Sequence, residues 1–377
     1  MAIGEPYLVE VKMNKATDNH DRALILHIGQ TKTATTSLQH FLTENRTVLR
    51  ESDIDFADAP ACHMSHRYLF HLINAEVGQL KAQRHHHCDR LSKFLIDPNL
   101  VQWDHDNPEA LIKYFWNFFY KSLQSTCNLV LISEELLWHI GEFETHQRIK
   151  ALTYLRDKLK PILEDRKLII TAVLRHHSEW LESWHNQMVK DQGNQQPLAI
   201  FLNKQESSDA LRFRQILNDW TKVFPNATIK VIDFKGGIVS PYPLGIMFFR
   251  SFGFLDQITK STLQNLIHPK SLQESIHPFL HAYLIRRKPP IGEMTSYKKT
   301  IRKANAMTKL ILEEIDLTKS YTLLTPEIQD RCLKLYDNDA LESFGLSQLH
   351  NSGSDKILVP KKLPKRILEL LNPLFKL

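Results

Sequence analysis

The sequence predicts an α/β protein built on a parallel sheet, and three observations carry that expectation. Four short runs, residues 23–28, Leu129–Ser133, Lys167–Leu174 and 228–232, are near-continuously apolar and rich in β-branched side chains. Unbroken apolarity, rather than alternation, is what a strand covered on both faces requires. The stretches between the runs carry apolar residues at helical spacing, so strands alternate with helices and right-handed crossovers follow. Finally, 377 residues leave room for a sizeable core. The expectation is a doubly wound parallel sheet of about four to five strands flanked by helices, one domain with helical insertions.

Taken in order, residues 1–20 read as a loose tail and 21–350 as the α/β domain. After the first run, Leu38, Phe41, Leu42 and Leu49 form an apolar stripe on a helix that Thr35, Thr36 and Ser37 can cap. Residues 109–124 repeat the pattern with Leu111, Phe115, Phe118, Phe119 and Leu123, and their aromatics read as core. Trp180, Trp184 and Met188 make the apolar stripe of the helix after the third run. A further helix is expected near 243–252, and a loop over 286–292. Residues 351–377 form a basic, amphipathic end, with Ile367, Leu368, Leu370 and Leu371 among Lys361, Lys362, Lys365 and Arg366. Docking on its own domain is the expected role; peripheral contact with a membrane surface is the alternative.

Composition bounds the function. Hydrophobic residues make up 42% and charged residues 24%, the balance of a soluble globular protein. The net charge of +6 suits an anionic ligand but is too weak to argue for nucleic acid. Cys62, Cys88, Cys127 and Cys332 are scattered, so neither a structural zinc site nor a disulfide framework is expected, and a reducing compartment fits. The N-terminus lacks the apolar core of a secretory signal, and no stretch reaches the roughly 20 apolar residues of a membrane span, so a cytoplasmic location is expected. In Arg84-His85-His86-His87-Cys88-Asp89 consecutive residues cannot all face one ion, and a solvated turn is expected there.

The chemistry concentrates in GQTKTATTSLQ, residues 29–39. It follows the first strand and opens a helix, at the sheet edge where ligands gather in such folds. Free N–H groups and the positive end of the helix dipole make that place an anion site. Lys32 adds a charge, Thr33, Thr35, Thr36 and Ser37 add hydroxyl donors, and the small Gly29 and Ala34 permit close approach. The motif is not a nucleotide-hydrolase loop: Lys32 comes only three residues after Gly29, and Ala34 stands where a second Gly would. None of the strand ends is read as supplying a magnesium-holding Asp, so no metal is expected.

Lys32-Thr33-Ala34-Thr35-Thr36, followed by Ser37-Leu38-Gln39, resembles the 5′-phosphosulfate loop of sulfotransferases that use 3′-phosphoadenosine-5′-phosphosulfate (PAPS), in particular bacterial carbohydrate and lipid sulfotransferases. The resemblance implies a P-loop-like fold and a second cofactor clamp, an Arg at a later strand end and a Ser two helical turns on, which Arg175 and Ser183 match. A guanidinium fork and a hydroxyl suit a 3′-phosphate. It further implies that Lys32 meets charge on the leaving phosphate and that a His or Glu at the second strand's end is the general base. Glu134 fits that place better than Glu135, with His66 as the alternative, and His176 and His177 beside Arg175 could line the pocket. The acceptor implied is a hydroxyl of a carbohydrate or glycolipid, met by variable loops over 57–105 and 190–210. The basic residues of 286–303 could meet an anionic acceptor or form a solvated face. Two other functions fit the same loop: a small-molecule kinase with a degenerate P-loop, and a non-catalytic binder of PAPS or adenosine bisphosphate.

Overall fold

The computed structural model describes residues 22–375 except 61–64, 79–80, 96, 98–100, 105–106, 141–143, 207, 235–243, 252–257, 259–265, 268–274, 315–320, 338–340, 345, 347–348 and 350–355. The expected tail, 1–20, lies outside the described residues. Five parallel strands form the sheet: β1 (Ala23–His27), β2 (Ile54–Phe56), β3 (Leu129–Ser133), β4 (Lys167–Leu174) and β5 (Thr228–Asp233), in the order β2-β3-β1-β4-β5. The four apolar runs are strands, and the short β2 is an edge strand whose three residues are too few to give a sequence pattern.

Register sorts the side chains onto two faces. Ala23 pairs with Leu129 and Lys167, and His27 with Ser133 and Thr171, so odd-numbered positions of β1 share a face. On that face Ala23, Ile25, Leu129 and Leu131 pack with Leu38, Phe41 and Leu42 of helix α1 (Thr35–Glu44) and with Phe248 and Phe249. The opposite face, with Leu24, Leu26, Val130 and Ile132, joins the larger core. That core takes in helices α3 (Arg67–Val77), α5 (Glu109–Ser122), α6 (Thr145–Leu159), α7 (His177–Gln192) and α9 (Phe213–Val223). Leu24, Ile25 and Leu26 are at most 1% exposed, and burying each such side chain is worth about 1.5–3 kcal/mol. Helices therefore cover both faces, as the unbroken apolarity required.

Between the strands lie a short α2 (Arg46–Arg50), α4 (Lys81–Ser92) and α8 (Leu198–Glu206). The expected acceptor loops, 57–105 and 190–210, are thus largely helical. The run 84–89 is a turn of α4 rather than a loop: one face buries His87 and Cys88 while His85 and His86 stay toward the outside. After β5 come α10 (Leu244–Ser251), α11 (Pro278–Arg287), the 21-residue α12 (Met294–Glu314), α13 (Pro326–Asp337) and α14 (Lys365–Leu374). The C-terminal end docks: Ile367 and Leu371 are fully buried, Tyr283 OH donates to Asn372 Oδ1 at 3.1 Å, and β7 (Ile357–Leu358) pairs in parallel with β6 (Tyr321–Thr322). No helix among the described residues is long and apolar enough to cross a membrane.

One buried ion pair ties α6 to α9. Arg148, 1% exposed, reaches Asp219 through Nε at 2.8 Å and Asp209 through Nη2 at 3.1 Å.

Candidate functional site

Strand β1 lies between β3 and β4, so the chain leaves β3 on one side of β1 and returns on the other. A crevice opens at the carboxyl ends where the connections diverge. The ladder runs past the strand ends: Ile28 N donates to Thr171 O (2.9 Å) and Glu134 N to His27 O (2.9 Å). These bonds fix the loop 29–34 over a cavity of about 640 Å³.

Two residues of that loop, Lys32 (φ 69°) and Ala34 (φ 58°), hold the left-handed conformation. Without glycine each costs on the order of 1–2 kcal/mol, and such strain persists where a site uses the geometry. Ala34 is also the N-cap of α1 and cannot cap it with a side chain, so the first-turn N–H groups point at the cavity with no side-chain acceptor and no acidic residue beside them. Gly29 also has a packing reason to be small. A Cβ there would stand 2.6 Å from His27 Nε2 and 2.9 Å from Thr35 Cγ2, so its smallness lets the buried histidine fit beneath the loop.

The cavity wall brings together most of the residues the sequence singled out. Lys32, Ala34, Thr35, Thr36 and Ser37 line it from the loop, and Arg175 and Ser183 from across the crevice. Thr33 is turned away: it is 2% exposed and its hydroxyl donates to Gln30 O at 2.5 Å. Lys32 Nζ donates to Gln187 Oε1 at 2.6 Å, and Gln187 in turn donates to Asp191. Burial first, then the charges of Lys190 and Arg175, pull the Lys32 ammonium down to about 8, against the opposing pull of Asp191 and Glu135. At neutral pH it keeps its charge, with fewer waters around it. Arg175 hangs from the end of β4, its Nε 3.3 Å from Glu179 Oε2 and its guanidinium 5.4 Å from the Phe234 ring.

Both candidates for the general base stand elsewhere than expected. Glu134 is fully buried and does not reach the cavity; its Oε1 accepts from Leu136 N at 2.9 Å and its Oε2 has no hydrogen-bond partner among the described residues. Burial, and then the charge of Glu135, push its carboxyl well above the usual range, so it stays protonated. His66 is also fully buried, at the N-cap of α3. Its Nε2 donates to Ala57 O at 3.2 Å, its Nδ1 accepts from Ser133 N at 3.3 Å, and burial lowers it to about 4. The wall of the cavity instead carries Glu135, whose Oε1 takes Arg67 Nη2 at 3.1 Å and whose Oε2 takes Gln39 Nε2 at 2.8 Å. His176 and His177 are buried too, His177 stacked on Phe213 at 3.9 Å.

Sequence reasoning also missed Arg67, Gln187 and His139, which line the same cavity. His139 shares a hydrogen bond with Thr31 (3.2 Å) and stacks on Trp184, and Trp184 and Met188 of the expected stripe pack against the core and line the cavity as well. The signal for Gln187 was present: it lies one helical turn beyond Ser183 on α7 and therefore on the same face.

Compared with family models, with curated proteins and with solved structures, the chain matches none.

Proposed function

We propose that this pocket binds PAPS and that the protein passes its sulfuryl group to a hydroxyl of a carbohydrate or glycolipid acceptor. One observation carries the reading. An uncapped helix N-terminus with its lysine, and an arginine and serine about 150 residues later, converge on one cavity. That is two anion-binding stations in one crevice, which a ligand phosphorylated at both ends of a nucleoside would span. We read the fold accordingly as P-loop-like and the location as cytoplasmic.

In this reading the amides and hydroxyls of Thr35, Thr36 and Ser37 hold the 5′-phosphosulfate. Arg175 and Ser183 take the 3′-phosphate; Glu179 engages Arg175 through Nε and leaves the terminal nitrogens for the ligand. Transfer forms a bond from the acceptor oxygen to sulfur and breaks the bond from sulfur to the bridging phosphate oxygen. Lys32 meets the charge that develops on that oxygen, a task that falls to an ammonium and backbone amides rather than to a metal ion. Glu135, a carboxylate held between Arg67 and Gln39, takes the acceptor's proton.

Calorimetric titration with adenosine 3′,5′-bisphosphate, the product, tests the pocket. Binding is expected in the intact protein and is expected to weaken at least tenfold in Lys32→Ala and Arg175→Ala, the loss of one charge-assisted contact each. No binding by the intact protein would remove the reading.

A further inference from the structure

Away from the cavity, two segments far apart in sequence meet and give the protein a cationic edge. Arg286 Nη1 donates to Pro360 O at 2.7 Å and to Lys361 O at 3.2 Å, tying the end of α11 to the segment after β7. Arg286, Arg287 and Lys288 are exposed on one side of this junction, Lys361 and Lys362 on the other. Neither 286–288 nor 356–366 contains an acidic residue, and none of these five side chains forms a salt bridge among the described residues. Beside them β7 pairs with β6 and with no other strand among the described residues, and it leaves Ile357 40% and Leu358 44% exposed, a bare aliphatic pair on a two-stranded ribbon.

We infer that this edge docks on an anionic lipid bilayer. Five lysine and arginine side chains around two protruding aliphatic residues match a surface that is negative at the headgroups and apolar just beneath. The charge complementarity decides against a second copy of this chain, because two such edges would bring like charges together. The mode differs from the one the amphipathic C-terminus suggested: the apolar side of α14 is spent on α12 and Tyr283, so the contact falls to β7 and the flanking cations. The edge also touches the site. Lys356, the residue before β7, stands 3.8 Å from Glu179 Oε1, and Glu179 holds Arg175 with its other oxygen. Docking through this edge would set the cavity beside the headgroups. The corollary that the acceptor is a glycolipid rests on the proposed function; the docking itself does not.

Co-sedimentation with vesicles of phosphatidylcholine alone, and of phosphatidylcholine with phosphatidylserine, tests the inference on the full chain. Binding is expected to the mixed vesicles only and to fall steeply as salt rises. Lys361→Glu combined with Lys362→Glu is expected to lower the bound fraction about tenfold, since charge near an anionic surface sets the affinity. Leu358→Asp should lower it as well while leaving the circular dichroism spectrum unchanged. Absence of binding to mixed vesicles at low salt overturns the inference, as does equal binding by the double variant. Concentration-dependent dimerisation abolished by Leu358→Asp, without vesicle binding, would give the edge to a second copy and overturn it too. Product titration of the same variants keeps the outcomes separable: vesicle binding can fail while adenosine 3′,5′-bisphosphate still binds, and the reverse.

Discussion

Lowering the pH should unfold this protein well above the range where carboxylates usually do it. Seven fully or nearly fully buried histidines are held neutral: His27, His66, His71, His87, His176, His185 and His281. Burial lowers His27 and His71 to about 3, His66, His87, His176 and His185 to about 4, and His281 well below its ordinary value. Four of them bond in pairs, His71 Nδ1 to His87 Nδ1 at 3.1 Å and His185 Nδ1 to His281 Nε2 at 2.9 Å, where a second proton has nowhere to go. Each binds its proton first in the unfolded chain. Their contribution is therefore complete above about pH 6.5 and drains away as the pH falls toward the folded values. By about pH 5 a histidine lowered to about 3 or 4 has cost roughly 2 kcal/mol, so the group together consumes much of a total stability of about 5–15 kcal/mol. Glu134 and Glu182, both raised first by burial, act in the opposite sense and return part of that loss. Urea midpoints followed by tryptophan fluorescence at about pH 7.5 and about pH 5.5 should separate clearly, with spontaneous unfolding near pH 5. Equal midpoints at the two pH values would refute the reasoning, because they would mean that these histidines charge without unfolding.

Two further outcomes follow from the geometry. Glu135→Gln is expected to leave adenosine 3′,5′-bisphosphate affinity near that of the intact protein and to slow transfer from PAPS by a factor of about 10²–10⁴ in a labelled-sulfate assay, whereas Glu134→Gln, replacing a carboxyl already neutral, should keep most of the activity. Arg148→Ala should cost about 3–5 kcal/mol in urea unfolding, because it strands the buried Asp219 carboxylate and takes a partner from the half-buried Asp209, and removing Asp219 as well should recover part of that loss.

The sheet was legible because burial on both faces leaves one signature, unbroken apolarity, and β1, β3, β4 and β5 all carry it. β2 was not, since three residues at a sheet edge show no period. The loop's place at the mouth of the crevice was legible from its position between a strand and a helix, and Lys32, Ala34, Thr35, Thr36 and Ser37 do line the cavity. What composition could not give was the left-handed backbone at Lys32 and Ala34, because neither residue type favours it. Nor could it reveal Arg67 and His139, which reach the cavity only because α3 and the turn Glu135–His139 pack against each other across the end of β3.

The exchange of Glu134 for Glu135 shows where strand reasoning stops. Side chains alternate along a strand, and Glu134 is still extended, at φ −149° and ψ 105°, so it continues the alternation of Val130 and Ile132 into the larger core. Ser133 faces the other way, toward His27, with which it shares a 2.8 Å hydrogen bond. Only at Glu135 does the backbone enter a 3₁₀ turn and abandon the period of two, and the first residue of that turn swings over the sheet's edge to the cavity. A carboxylate at a strand end is therefore placed by where the strand's geometry ends, which the residue letters do not mark. In this chain it ends one residue later than the apolar run, and that single residue separates a carboxyl kept neutral in the core from one paired with Arg67 and Gln39 at the cavity wall.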